Sequence, residues 1–221
     1  MQCMTKVKEA GDRAFDELIA AVRDCRICRD APRYGEPLPQ EPRPILQARA
    51  SACICIASQA PGIRAHTSGV PFDDPSGLRL RNWLGMTDAE FYDADRVAIV
   101  PMGFCFPGFS ASGGDLPPRR ECAEEWHERI FAALTQLRIL VVIGGYAHRW
   151  HLGAAVARQS VSEIVASWRD LHARNETLRV FALPHPSWHN NLWIKRNPWF
   201  STELLPFMQE SIREALNDQS Q

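Results

Sequence analysis

Apolar and polar residues alternate between two rhythms along the chain. Four short apolar runs, Ala52-Cys-Ile-Cys-Ile-Ala57, Arg96-Val-Ala-Ile-Val100, Arg138-Ile-Leu-Val-Val-Ile143 and Arg179-Val-Phe-Ala-Leu183, have the length and β-branched content of buried strands. The third is almost unbroken, as expected of a strand covered on both faces. Between the runs the spacing turns helical. Residues 5–24 put Val7, Ala14, Phe15, Leu18, Ile19 and Val22 on one stripe, and helices are predicted at about 77–85, 119–135, 146–152, 160–170 and 202–216. Pro117 and Pro118 suit the start of the helix at 119–135. Strands alternating with helices predict an α/β fold, a three-layer α/β/α sandwich around a four-stranded parallel sheet. Loops 58–77, 101–118, 144–146 and 184–198 then all leave the C-terminal ends of strands, on the edge where open α/β sheets bind ligands.

Composition narrows the class. The length of 221 residues fits one domain with a continuous core. A 45% apolar and 23% charged content is that of an ordinary globular chain. The formal net charge of −1 supplies no global attraction to nucleic acid, so such a partner must be held by a local basic face. No apolar run reaches ~18 residues, which argues against a membrane span. The first residues lack the basic-then-apolar order of a signal peptide, so the expected location is cytoplasmic. Residues 30–48 carry several prolines and read as an irregular surface segment.

Seven cysteines do not make a disulfide framework. Cys53 and Cys55 alternate within the first strand and read as buried thiols, and Cys3 falls in a fraying terminus. Cys25, Cys28, Cys105 and Cys122 remain, a Cys-x-x-Cys with two distant partners. Such a set suits a metal centre, either an iron–sulfur cluster or a structural zinc, or else Cys105 and Cys122 are buried thiols that are only coincidentally spaced.

The stretch Leu183-Pro-His185-Pro-Ser187-Trp188-His189-Asn190-Asn191 holds an imidazole between two prolines at a strand end. Proline fixes its own φ and biases the residue before it away from helix. His185 is therefore a stiffly held group, for a local hydrogen bond or for chemistry. The turn Ser58-Gln-Ala-Pro-Gly62 lacks the glycine spacing of a phosphate-binding loop. Further on, Phe72-Asp73-Asp74-Pro75-Ser76-Gly77 sets an aromatic ring beside two carboxylates, and Asp74 there is also a candidate N-cap for the next helix. His148 and His151, within one helical turn, read as a solvated face.

Taken in order, Ala57-Ser-Gln-Ala-Pro-Gly62, Ser68-Gly-Val-Pro-Phe72 and His185-Pro-Ser187 resemble the motifs of the uracil-DNA glycosylase superfamily. The four cysteines resemble those of its iron–sulfur branch. The resemblance runs from Cys25 to about Asn191. It implies a DNA glycosylase that excises uracil or a related deaminated base, with a [4Fe–4S] cluster on Cys25, Cys28, Cys105 and Cys122. By that resemblance His185 donates a hydrogen bond to the departing base and Phe72 stacks on it. Gln59, Ala60 and Gly62 contact the base or position water, and Ser187 and Asn190 complete the pocket. Trp188 would wedge into the duplex, with Lys195 and Arg196 on the DNA backbone. Two departures stand out. Gln59 and Ala60 occupy positions where branches of the family carry a carboxylate, so Asp74, in an Asp-x-Ser-Gly that matches one branch, takes that role, with Asp73 second. Pro101 stands where an asparagine reads the base edge, which leaves the choice of base open. A non-catalytic nucleic-acid-binding member of the superfamily, or a hydrolase of free nucleosides or nucleotides, fits the same motifs.

Overall fold

A computed structural model describes residues 2–175 and 177–218, and the side chains of 10–154, 156–175 and 177–218. The side chains of Cys3 and Val7 lie outside the described residues. The chain opens with α1 (Gln2–Arg23), whose buried stripe of Phe15, Ile19 and Val22 follows the predicted periodicity. After α2 (Ile27–Asp30) come β1 (Ile54–Ala57), α3 (Ile63–Ser68), α4 (Pro75–Leu84), α5 (Asp88–Phe91) and β2 (Val97–Ile99). A continuous helical stretch follows, comprising α6 (Arg120–Cys122), a π-helical turn (Ala123–His127) and α7 (Glu128–Ala133). Then come β3 (Ile139–Ile143), α8 (Gly144–Leu152), α9 (Val161–Ala166), α10 (Trp168–Ala173) and β4 (Arg179–Leu183). The described chain ends with α11 (Asn191–Arg196) and α12 (Leu205–Asp218).

The four strands form one all-parallel sheet in the order β2-β1-β3-β4. Side chains alternate across it, as the two-residue strand period requires. Cys55, Ala57, Ala98, Val100, Leu140, Val142 and Ala182 join the core under α1, α7 and α8. Ile54, Ile56, Val97, Ile99, Val141, Phe181 and Leu183 join the opposite core under α4 and α12. The predicted three-layer arrangement is therefore present, and no helix among the described residues is long and apolar enough to cross a membrane.

Three local features depart from the sequence pattern. Residues 30–48 are more than surface chain. Leu38, Ile45, Leu46 and Ala48 are buried, and Gln47 exchanges backbone hydrogen bonds of 3.0 and 2.6 Å with Ile99, covering the open edge of β2. That satisfies backbone groups an edge strand would leave exposed. The helix predicted over 160–170 breaks at Ser167, whose hydroxyl donates back to the Ile164 carbonyl at 2.9 Å and competes with the helical ladder. His148 and His151 are not on a solvated face. His148 is fully buried and donates from Nε2 to the Val142 carbonyl at 3.1 Å, and the His151 ring packs on Phe131.

His127, on the π-helical turn, is also buried and donates from Nε2 to the Pro101 carbonyl at 3.0 Å. Burial pushes His127 and His148 from about 6.5 down to about 4, and His151 down to about 3. The unfolded chain protonates these rings as pH falls through about 6.5, whereas the folded chain resists until about 4. Stability from this source is therefore complete above that range and declines as pH falls through it. Urea midpoints should drop between about pH 7 and pH 5, and His148→Gln, if folded, should flatten the slope. A midpoint independent of pH across this range would contradict the assignment.

Candidate functional site

The site begins with the backbone after β1. The β1–β2 pairing continues past the strand ends, with Val100 donating to Ile56 at 2.9 Å, Met102 to Ser58 at 2.8 Å and Gly103 to Gln59 at 2.9 Å. The turn at 58–62 is thereby locked to the segment that starts at Pro101. Beside it the chain reverses. The connection out of β1 passes to the α4 face, whereas that out of β3 enters α8 on the other face. Gly144 makes this exit with φ +79, and a Cβ there would stand 2.8 Å from the Gln59 amide nitrogen. Such a reversal opens a crevice at the strand ends.

A cleft of about 470 Å³ lies on this edge, within the usual size of small-molecule sites. It gathers Gln59, Ala60 and Gly62 from the first turn, Phe72 and Asp74 from the approach to α4, and His185 and Ser187 from the loop after β4. Trp188 stands at its rim, 69% exposed and stacked on His189 with ring centroids 3.8 Å apart. Pro101 and Ile45 form apolar wall, and the Pro101 carbonyl is occupied by His127. Segments more than a hundred residues apart in sequence thus meet in one cavity.

Phe72 has a strained backbone. Its φ of 57° is unusual for a residue with a side chain, costs free energy of order 1–3 kcal/mol, and persists only where the surroundings impose it. Here they do. Its ring meets Phe91 edge-on at 6.0 Å, and its carbonyl oxygen lies where residue 77 must have no side chain. A Cβ on Gly77 would come within 1.8 Å of that oxygen. Asp74 closes the same turn, its Oδ1 accepting from the Gly77 backbone N–H at 2.7 Å as the N-cap of α4. The residue therefore caps a helix and also lines the cleft. Asp73 is exposed and does not line it.

His185 is held from two sides. Asn190 Nδ2 donates to its carbonyl at 2.7 Å, and Arg79 donates to the Ser187 carbonyl at 3.0 Å and to Asn191 Oδ1 at 2.7 Å. Asn190 thus supports the loop and does not itself line the cleft. Burial pushes the His185 pKa below the usual histidine value, with the Asp74 carboxylate as a smaller opposing influence. At neutral pH the ring is a neutral imidazole, able to donate one hydrogen bond and bearing no charge of its own.

Lys195 and Arg196 are exposed on α11, outside the cleft. Trp193 and Trp199 belong to packing, meeting each other edge-on at 5.9 Å, and Trp193 donates to Ser162 Oγ at 2.7 Å. Arg119 is likewise structural, donating to the Tyr34 and Glu36 carbonyls at 2.6 and 2.8 Å and to Glu121 at 2.9 Å.

One carboxylate in the cleft escapes the motif reading: Asp115 reaches in from the 101–118 loop, while Ser76 of the Asp-x-Ser-Gly segment lines the cleft beside the cap. Burial raises the Asp115 pKa, and the Asp74 charge raises it further. A signal for Asp115 did exist in the sequence: it is the sole carboxylate in that loop, set between Gly113-Gly114 and Leu116-Pro117.

The four candidate cysteines share one core: Cys28, Cys105 and Cys122 belong to it, and Cys25 packs against it. Cys28 and Cys122 share a thiol hydrogen bond that lowers the Cys28 pKa and raises that of Cys122. Cys105, pushed up to about 12 chiefly by burial, also senses Cys28 and Cys25. Among the described residues no group of three or more His, Cys, Asp or Glu side chains is placed to hold a metal ion. Buried Glu121, next in sequence to Cys122, accepts from the Arg33 and Tyr34 backbone N–H groups at 3.2 and 3.3 Å, which stiffens this corner.

Loss of the cap in Asp74→Ala should cost about 1 kcal/mol of unfolding free energy. Gly77→Ala should cost more, because a backbone carbonyl must move and take Phe72 with it. Denaturant unfolding of the two variants checks this, and a Gly77→Ala protein as stable as Asp74→Ala would contradict the close contact.

A family model described as the uracil DNA glycosylase superfamily matches residues 47–209. That span takes in the turn after β1, the Phe72–Gly77 segment, the loop carrying Asp115 and the His185 loop, together with all four strands. The chain therefore belongs to the uracil DNA glycosylase superfamily.

Proposed function

We propose that the protein is a monofunctional DNA glycosylase that hydrolyses the N-glycosidic bond of uracil or a related deaminated base in DNA. One observation carries the reading: a stacking ring, a carboxylate and a stiffly held neutral imidazole, Phe72, Asp74 and His185, share one cleft. Base excision needs these three elements. The base must leave the stack and find a face to lie on, which Phe72 offers. As the bond to the sugar breaks, the sugar gains positive character and the base negative charge. Asp74 is the negative group near the sugar. His185 gives its N–H to a base oxygen, and its neutrality means that it acts as a preset donor without having to lose a proton first. Gln59 and the backbone of Ala60 to Gly62 contact the base, with Ser187 at its side.

On the DNA side, Trp188 fills the gap left by a flipped base, a role its exposure supports. Lys195 and Arg196 then supply phosphate contacts on the flank. The apolar wall at Pro101 and Ala60 favours one other reading, a member of the family that binds a flipped base without excising it.

We also propose that Cys25, Cys28, Cys105 and Cys122 hold a [4Fe–4S] cluster. The Cys-x-x-Cys with two distant cysteines, together with the Cys28–Cys122 hydrogen bond and the influence of Cys25 and Cys28 on Cys105, supports this reading. When bound, the cluster would act as a structural cross-link between the end of α1 and the loop after β2, remote from the bond that is broken.

His185→Ala should slow single-turnover excision from a uracil oligonucleotide by 10²–10³-fold, ~2.7–4 kcal/mol, the worth of one preset donor. An unchanged rate would remove His185 from the chemistry. Protein purified without oxygen should contain iron and acid-labile sulfide in equal amounts and absorb in the visible, and Cys28→Ala should lose both. Bound zinc in place of iron would overturn the cluster.

A further inference from the structure

The proposed reaction needs a group to take a proton from the attacking water, and the first turn, with Gln59 and Ala60, contains none. Asp74 is poorly free for that task, because one of its oxygens already accepts the Gly77 N–H at 2.7 Å. Asp115 has no such commitment. It stands in a small antiparallel hairpin in the loop after β2, where Phe109 pairs with Asp115. Ser110 donates to Gly114 at 2.7 Å and Leu116 to Gly108 at 2.9 Å. These bonds bracket the aspartate and hold its backbone. Its Oδ2 lies 3.4 Å from the position a Cβ on Gly62 would occupy, so the carboxylate rests against the turn that lines the base pocket. The residue as a whole is exposed, as water delivery requires, while its carboxylate borders the cleft shared with Asp74 and His185.

We propose that Asp115 is a catalytic residue, the general base that takes a proton from the attacking water, while Asp74 caps α4 and stabilises the sugar cation. The assignment rests on the glycosylase reading above. In the step itself the bond between C1′ and the base nitrogen breaks, and its electron pair leaves with the base, whose charge His185 stabilises. Water oxygen bonds to C1′, and one water proton passes to the Asp115 carboxylate. Asp115 then returns that proton to the departed base, which leaves neutral, and the carboxylate is regenerated. Both carboxylates line the cleft, and burial together with the Asp74 charge raises the proton affinity of Asp115. A base beside an anion accepts a proton more readily than one in open water.

Wild type, Asp115→Asn and Asp115→Ala should be compared in single-turnover release of base from a uracil oligonucleotide and from oligonucleotides carrying other deaminated bases. Asp115→Asn should lose about 10²-fold in rate while keeping its affinity for the oligonucleotide and its unfolding midpoint. Added formate should restore part of the rate to Asp115→Ala, since a free carboxylate then fills the vacated place. A wild-type rate in Asp115→Asn, with wild type active, would overturn the assignment and leave the glycosylase reading intact. So would a loss of rate matched by a loss of affinity. Release of no base by wild type from any oligonucleotide would overturn the glycosylase reading and this assignment with it.

Discussion

The parallel hydrogen-bond ladder is the constraint on which the site depends. Each of the four strands ends at the same edge, so every connection must begin there before it crosses back over one face of the sheet. With β1 between β2 and β3, its outgoing chain and that of β3 leave toward opposite faces, which opens a crevice between them. The ladder does not stop at the strand ends. The bonds from Met102 to Ser58 and from Gly103 to Gln59 carry it into the loops, so the floor of the cleft has the rigidity of the sheet. His127 adds to this from the opposite layer by taking the Pro101 carbonyl.

On that floor the side chains are positioned by local devices of modest strength. Phe72 is kept in a left-handed conformation by the absence of a side chain at residue 77 and by the Asp74 cap that binds the same turn. His185 is kept by proline on each side and by the Asn190 amide on its carbonyl. Each device contributes on the order of 1 kcal/mol, small against the free energy of the core. Their value lies in geometry: in the proposed reaction a donor that is already aimed would have no reorganisation cost as charge develops on the leaving group.

Much of this was legible in the sequence because it rests on local chemistry. The four strands were marked by continuous apolar runs, and Phe15, Ile19 and Val22 by helical spacing. Motif order placed Gln59, Phe72, Asp74 and His185 on one edge, and they do line one cleft. What stayed hidden depends on contacts that neither periodicity nor motif order encodes, some local and some across long separations. The sequence does not say that the Asn190 amide turns back to the His185 carbonyl five residues earlier. Nor does it say that the His148 ring enters the core and meets the Val142 carbonyl six residues earlier. Gln47 looked like surface chain because the strand edge it covers lies some fifty residues on. Asp115 escaped for the same reason: a glycine-rich loop has no periodicity, and only the fold brings it against Gly62.

The central claim is that the cleft breaks the bond between a deaminated base and its sugar in DNA. Mass spectrometry of the products from a panel of single-lesion oligonucleotides tests it most directly. The account predicts free base together with a strand of unbroken backbone that carries one abasic site. A strand bound yet recovered with its base in place, or base freed only from mononucleosides, would contradict it.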